Sequence, residues 1–340
     1  MSIKNLAGTF LIDAEAAFLN GAGLGEGEDK NVVIPKSYRI RVDNRTLTVP
    51  YVSAQAWRRW LRNTCNEENG WTPSVLQAIG ESEKGSTNKI STELNPISYE
   101  EDDLFGYMRS GKGKEESVQR TSPFKTSVLR GIEGRYGLER DEGFVHLQEG
   151  TPLPYTTKFY ATHLEAFFNL EAYRLGIYEN RSSRVELAED ILKSHEDKLE
   201  IKTKAKNHKV YTLKNNDTLR DERIKGLLKG LVFLRGGAKQ AAYNTDVAPK
   251  AVLFAALETA NPIFNDLFSG KSEKPFLKID LLKQIRDDYA DKLAGDIYIG
   301  LRSGYLENEE EIKALGDGYK VGSPVQVAKA FVQDHLTVEW

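Results

Sequence analysis

Val49-Pro-Tyr-Val-Ser-Ala-Gln-Ala-Trp-Arg-Arg-Trp-Leu-Arg62 reads as a strand that runs straight into a helix carrying three arginines. Ser53 suits the capping position, because its hydroxyl accepts from the first free N–H groups of a helix. Trp57, Trp60 and Leu61 fall at i, i+3 and i+4 and can pack inward. Arg58, Arg59 and Arg62 then share much of the other flank. The start of a helix already favours anions through its free N–H groups and dipole. Guanidinium forks match phosphate geometry, so this helix has the makings of a grip on a phosphate backbone. Taken alone, the stretch reads more simply as a solvated helix face over two core tryptophans.

Outward from this stretch the pattern is strand-like on the amino-terminal side. Residues 6–19 place Leu6, Phe10, Ile12, Ala14, Ala16 and Phe18 on one face by period two. A glycine- and acid-rich loop spans 21–29. Tyr38, Ile40 and Val42 then alternate with Arg39 and Arg41, Asp43-Asn44 makes a turn, and residues 45–52 return into the arginine helix. Residues 66–130 are weakly patterned, with short apolar islands at 75–79 and 104–108, and read as an insertion. Residues 131–154 read as an extended hairpin or loop, and core signal returns in the strand-like run 155–170. The lysine-rich segment 198–214 reads as a solvated linker. In residues 220–234, Ile224, Leu227, Leu228 and Leu231 form one helical stripe. Residues 248–257 are apolar on both faces, as a central strand would be, and 276–293 read as an amphipathic helix. This order predicts an α+β fold, an antiparallel sheet with helices on one side, of ferredoxin-like or RNA-recognition type.

The 340 residues are 40% apolar and 29% charged, enough for a large core under a hydrated surface. A net charge of −3 does not announce a nucleic-acid binder. Its distribution says more: acid gathers at 93–103 and 307–311, base at 58–62, 112–125 and 198–229. The single cysteine, Cys65, excludes an internal disulfide and a cysteine zinc site. No run reaches the length of a membrane span, and the amino terminus lacks a signal-peptide pattern. A cytoplasmic location with no membrane partner is therefore expected.

Catalytic motifs fail on inspection. Gly21-Ala-Gly-Leu-Gly-Glu-Gly27 has Glu26 where a dinucleotide fingerprint needs glycine. Gly111-Lys-Gly-Lys lacks the ending of a P-loop, the five histidines never fall at metal-ligand spacing, and no nucleophile elbow occurs. No catalytic residue, metal or cofactor is assigned, and binding is expected rather than catalysis.

Four motifs in order carry a resemblance. They are Ser-x-Gln-x-x-Arg-Arg-x-x-Arg at 53–62, Leu-Phe-Gly-Tyr-Met at 104–108 after an acidic run, Arg120-Thr-Ser-Pro-Phe-Lys-Thr-Ser127, and Gly-Gly-Ala-Lys-Gln at 236–240. Over roughly residues 6–257 the chain resembles the crRNA-binding backbone subunit of type I CRISPR Cascade complexes, the DevR-type branch of the RAMP superfamily, with subtype I-B expected. The resemblance implies a hand-shaped subunit. Its palm would occupy 1–65 and 158–340 with a lysine-rich insertion at 194–218, its finger 66–130 and its thumb 131–157. Copies would stack along one crRNA as a helical filament, beside other Cascade subunits, with target DNA held through guide pairing and a nuclease-helicase recruited.

Carried over residue by residue, Ser53, Gln55, Arg58, Arg59 and Arg62 fall on the helix that contacts phosphates. Met108 falls where an apolar side chain meets a base, Lys239 and Gln240 fall on the glycine-rich loop over the backbone, and Phe144 is the thumb wedge. Phosphate contacts give affinity and register without reading sequence, and apolar side chains serve any base. The residues alone support plainer readings: Met108 as core filler, Lys239 as a helix C-cap, Phe144 as a loop anchor, and 198–214 as a solvated linker where the resemblance allows a path for displaced or target DNA.

Three rivals remain at this level. A type III-like subunit would cut target RNA with a metal held near the start of the chain, where Glu26, Glu28 and Asp29 are available. The Pro-Gly-Ser-Ser-Leu-Lys-Gly pattern of that branch is missing. A guide-processing endonuclease would rely on an early histidine, and none precedes His146. A protein-interaction scaffold would dispense with the arginines.

Overall fold

The computed structural model describes residues 3–24, 32–79, 89–109, 117–145, 153–182 and 184–340. The first strand, Asn5–Ala17, lies at the centre of the main sheet, antiparallel to Leu153–Leu170 on one side and to Ala251–Leu257 on the other. Leu129–Gly131 pairs with the outer edge of Leu153–Leu170. The arginine helix, Ala54–Asn69, precedes that short strand, and a second long helix, Asn216–Val232, precedes Ala251–Leu257. Two strand–helix–strand units in the order fourth, first, third, second are the ferredoxin-like arrangement. The α+β fold expected from the sequence is the fold observed.

Alternation along the central strands decides what covers them. Leu6, Phe10, Ile12 and Phe254 face a core shared with Trp57, Leu61, Ile224 and Leu231 of the two helices. Ala7, Leu11, Leu253 and Ala255 face a second core with Phe264, Leu282 and Ile299. Helices were expected on one side only, but both faces are covered. The reason is that residues 258–340 supply the helix Ile279–Asp288, a sheet extension from Ile297–Leu301 to the parallel strand Tyr319–Gly322, and the helix Pro324–His335 on the first face. Gly8 permits the tightest approach in this sheet, since a Cβ there would lie 2.5 Å from both the Leu253 carbonyl and the Phe168 ring. Glu165, on the long strand, is buried beside the Thr9 hydroxyl at 3.3 Å.

A register shift between Ala14 and Ala17 changes the reading of the first strand. One extra residue flips the alternation, so Ala16, expected inward, is exposed while Ala17 and Leu19 enter the core. The hairpin Ser37–Val42 to Arg45–Val52 forms as expected, with Asp43 at φ 46° and Asn44 at φ 63°, the left-handed pair such a turn requires.

Residues 66–130 do not close on themselves. The strands Tyr107–Arg109 and Val118–Arg120 join Arg184–Val185, Ile177–Arg181, His208–Leu213 and Leu199–Ala205 in one six-stranded sheet. The apolar islands of 66–130 are too short to bury themselves, so Leu94, Tyr107 and Val118 share a small core with Val185 from beyond the long strand. The segment 198–214, read as a linker, is the outer hairpin of this sheet, anchored through Leu199, Tyr211 and Leu213 on Tyr178.

Candidate nucleic-acid interface

The arginine helix begins as its sequence requires. Ser53 is extended, and its Oγ accepts from the Ala56 N–H at 3.3 Å. The Ser53 N–H donates to Asn20 Oδ1 at 3.0 Å, tying the helix start to the end of the first strand. Trp57 and Leu61 are fully buried, and Trp57 Nε1 donates to the Ser127 carbonyl at 2.8 Å. Gln55 and Arg59 stand exposed one turn apart.

The other two arginines turn inward. Arg58 Nη2 donates to the Phe105 carbonyl at 2.9 Å and to Ser122 Oγ at 2.8 Å, and burial lowers its pKa. Arg62 pairs with the Glu101 carboxylate. Burial pulls the Arg62 pKa down, but the Glu101 partner outweighs it and the net shift is upward. The expected shared flank is therefore split between one guanidinium in solvent and two on the short helix Glu100–Phe105 and its neighbours.

That short helix is where the sequence misleads most. Glu101, Asp102 and Asp103 are 2%, 1% and 0% exposed, although an acidic run reads as surface. Asp103 pairs with Arg120 and with Arg223 of the second helix, and accepts the Gly176 N–H at 3.0 Å. Arg120 also reaches Glu186 at 2.9 Å and lies 4.7 Å from the centre of the Tyr178 ring. Burial pushes the Glu101 carboxyl up, yet Arg62, Asn66 and the Ser74 N–H together hold it below its usual range. Burial leaves Asp102 raised. These groups fasten the small sheet to the palm.

The glycine-rich loop packs on the arginine helix at the half-buried Trp60. Gly236 has φ 147°, and a Cβ there would sit 2.3 Å from Trp60 Cγ, so only glycine lets the loop lie on that ring. The Ala238 N–H donates to the Leu19 carbonyl at 2.9 Å. Gln240 Nε2 closes the loop on the carbonyls of Gly236 and Thr245. Lys239 takes the left-handed conformation at φ 52°; its ammonium donates to Thr157 Oγ1 at 2.9 Å and lies 4.9 Å from the Phe18 ring centre. The second helix has already ended at Val232, which rules out the C-cap reading of Lys239.

The loop that holds Lys239 and Gln240 thus meets the arginine helix at Trp60, Gln55 and Arg59 stand exposed elsewhere on that helix, and Arg58 and Arg62 are tied to the short acidic helix and its neighbours. Met108 lies apart on the small sheet and is 63% exposed, which overturns the core-filler reading. Phe144 belongs to the strand Glu139–Val145, opposite Pro154, and its side chain lies outside the described residues, as do Glu26, Glu28 and Asp29. Asn20 caps the approach to the helix start and Thr157 and Phe18 hold Lys239; Phe18 was read only as an inward strand residue, and Asn20, beyond the end of the first strand, and Thr157, on Leu153–Leu170, carry no spacing signal. Among the described residues no group of three or more His, Cys, Asp or Glu is placed to hold a metal ion, and no helix is long and apolar enough to cross a membrane.

Two solved structures share the fold of this chain. Both are titled CRISPR RNA-guided surveillance complexes, one of them pre-nicking; they are 12% and 11% identical to this chain, with TM-scores of 0.53 and 0.57. Each alignment covers 97% of this chain and 99% of the other, and at such identity it speaks for the fold alone. No curated protein sequence matches the chain. Residues 8–276 match the family described as CRISPR-associated negative auto-regulator DevR/Csa2, and the chain belongs to that family.

Proposed function

We propose that the protein is the non-catalytic crRNA-binding backbone subunit of a type I Cascade complex, of subtype I-B, whose copies line up along the guide in the cytoplasm. The observation that carries this reading is that the arginine helix leaves Gln55 and Arg59 exposed, while the glycine-rich loop packed on its Trp60 leaves Lys239 exposed. They offer an amide and two cations with no carboxylate partner among the described residues, and phosphates ask for nothing sequence-specific. Arg58 and Arg62 act indirectly, by fixing the helix against the small sheet. Exposed Met108 lies against a base, Phe144 is assigned as the thumb wedge, and target DNA meets the complex through guide pairing. Other Cascade subunits and a recruited nuclease-helicase complete the assembly.

The test is expression with a matching CRISPR array and processing enzyme, followed by size-exclusion chromatography with absorbance at 260 and 280 nm. The expected product is a high-mass species carrying discrete array-derived RNA. Retention should fall with a log–log salt slope of about −0.7 per neutralised phosphate. A folded, nucleic-acid-free monomer under these conditions would return the scaffold reading.

A further inference from the structure

A cleft of about 690 Å³ lies between residues 121–125 and 171–174 of the palm, at the end of the long strand, and one face of the six-stranded sheet. Among the described residues, five cations line it against three carboxylates, and each carboxylate is shared. Glu171 takes Lys125 at 2.6 Å and Arg174 at 2.8 Å, and Glu179 takes Arg181 at 3.0 Å and Lys204 at 3.9 Å. Glu186 is divided among the buried Arg120 at 2.9 Å, Arg174 at 3.6 Å and Arg184 at 3.7 Å. Depth matters as much as number. The side chains of Arg181 and Arg184 are 58% and 51% exposed, whereas those of Glu171 and Glu186 are 11% and 7% exposed. These two carboxylates lie deep, and the arginines face the opening with N–H donors to spare.

Tyr173 lines the same cleft and is 49% exposed, a large aromatic side chain that the core does not claim. Guanidinium forks match phosphate oxygens, and an exposed ring offers a stacking platform to any base. The two together describe a nucleotide. The grouping of charge decides which kind. A strand carries a single charge on each phosphate, spaced along its length, whereas a polyphosphate carries several on adjoining groups. Cations gathered around one cavity of small-ligand size answer the second.

We propose that this cleft binds a nucleoside polyphosphate, with its phosphates on Arg174, Arg181 and Arg184 and its base against Tyr173. The site lies at the opposite end of the long strand from the Lys239 loop. Thr157 holds Lys239 near one end, Leu170 precedes Glu171 at the other, and the strand between them runs for roughly 40 Å. A ligand gripped from both walls fixes the small sheet against the palm, and it stabilises the folded chain by mass action.

Isothermal titration of the full chain with ATP tests it. Saturable binding of a single ATP per chain is expected, weakening as salt rises. Arg181→Glu with Arg184→Glu should weaken it at least about tenfold. The neutral pair Arg181→Gln with Arg184→Gln, which introduces no repulsion, should weaken it less. Tyr173→Ala should cost about fivefold or more and Tyr173→Phe little, since the ring is what stacks. Tripolyphosphate, which has no base, should bind the wild type and Tyr173→Ala alike. These variants should melt with the wild type, because all three side chains are exposed. A wild type that binds no ATP overturns the proposal, as does unchanged binding by both arginine pairs or by Tyr173→Ala. A mixed-sequence single-stranded oligonucleotide that displaces ATP at far lower concentration would assign the cleft to a strand backbone and overturn it too. None of these outcomes touches the guide-carrier reading, which is judged by retention of array-derived RNA.

Discussion

The helix Glu100–Phe105 and the loop at Gly236–Gln240 both flank the arginine helix, and both are rich in groups able to bind ions. In the helix, three consecutive carboxylates are buried, two of them closed on Arg62, Arg120 and Arg223. In the loop, Lys239 remains exposed and, among the described residues, is held by a hydroxyl and a ring face and by no carboxylate. The difference is one of counterions. Where the fold brings its own, charge becomes fastening; where it brings only neutral partners, charge stays available to a ligand.

The largest effect should come from removing a fastening. Asp103→Ala leaves Arg120 and Arg223 buried without their carboxylate, and should cost about 3–5 kcal/mol in urea unfolding. A loss below about 1 kcal/mol would show that the acidic helix is not structural. On the ligand side, Arg59→Glu should weaken RNA retention roughly ten- to a hundredfold, the loss of about 1.5–3 kcal/mol for a charge-assisted hydrogen bond. Its melting temperature should stay that of the wild type, since Arg59 is exposed and makes no ion pair among the described residues. Equal effects of Arg59→Glu on melting and on RNA would blur the contrast. Ser53→Ala removes a helix cap and should cost about 1 kcal/mol in thermal unfolding, with RNA binding reduced only as far as the helix start frays.

Acidity separates the two kinds of carboxyl more finely. Glu101 is held below its usual pKa, so its contribution is present above the unfolded value near about 4.3 and is lost as pH falls through the folded one. Glu165 runs the other way. Burial, with Asp266 nearby, pushes it up to about 7. Its contribution is full below the unfolded value near about 4.3 and is lost as pH rises through about 7. Glu165→Gln should therefore flatten the decline of stability across that window, and denaturant midpoints against pH would reveal an unchanged slope if Glu165 is not responsible.

Much of the palm was readable because its signals are local. Period two along residues 6–14, the Asp43-Asn44 turn and the apolar stripe of Ile224, Leu227 and Leu231 each dictate their element from neighbouring residues. The candidate site was readable in part, because Ser53 and Gly236 are residue types that a cap and a close approach demand. What escaped depends on distance along the chain. Asp103 meets Arg120 17 positions away and Arg223 120 positions away, so its burial has no local trace. Met108 sits on a three-residue strand, too short for alternation to tell its exposed face from its buried one. The bulge that exposes Ala16 is equally silent, since the same alternation would fit a straight strand.

The strand Leu153–Leu170 is continuous for 18 residues, about 60 Å at some 3.3 Å per residue. Its far end pairs with Glu139–Val145 in the arm, and its near end pairs with the first strand at the centre of the palm. No loop interrupts it, so arm and palm have no soft joint between them and swing only by bending a hydrogen-bonded ribbon. Such a member works as a ruler. The reach of each arm is a fixed length, and any spacing it imposes on what it touches is measured out by covalent geometry.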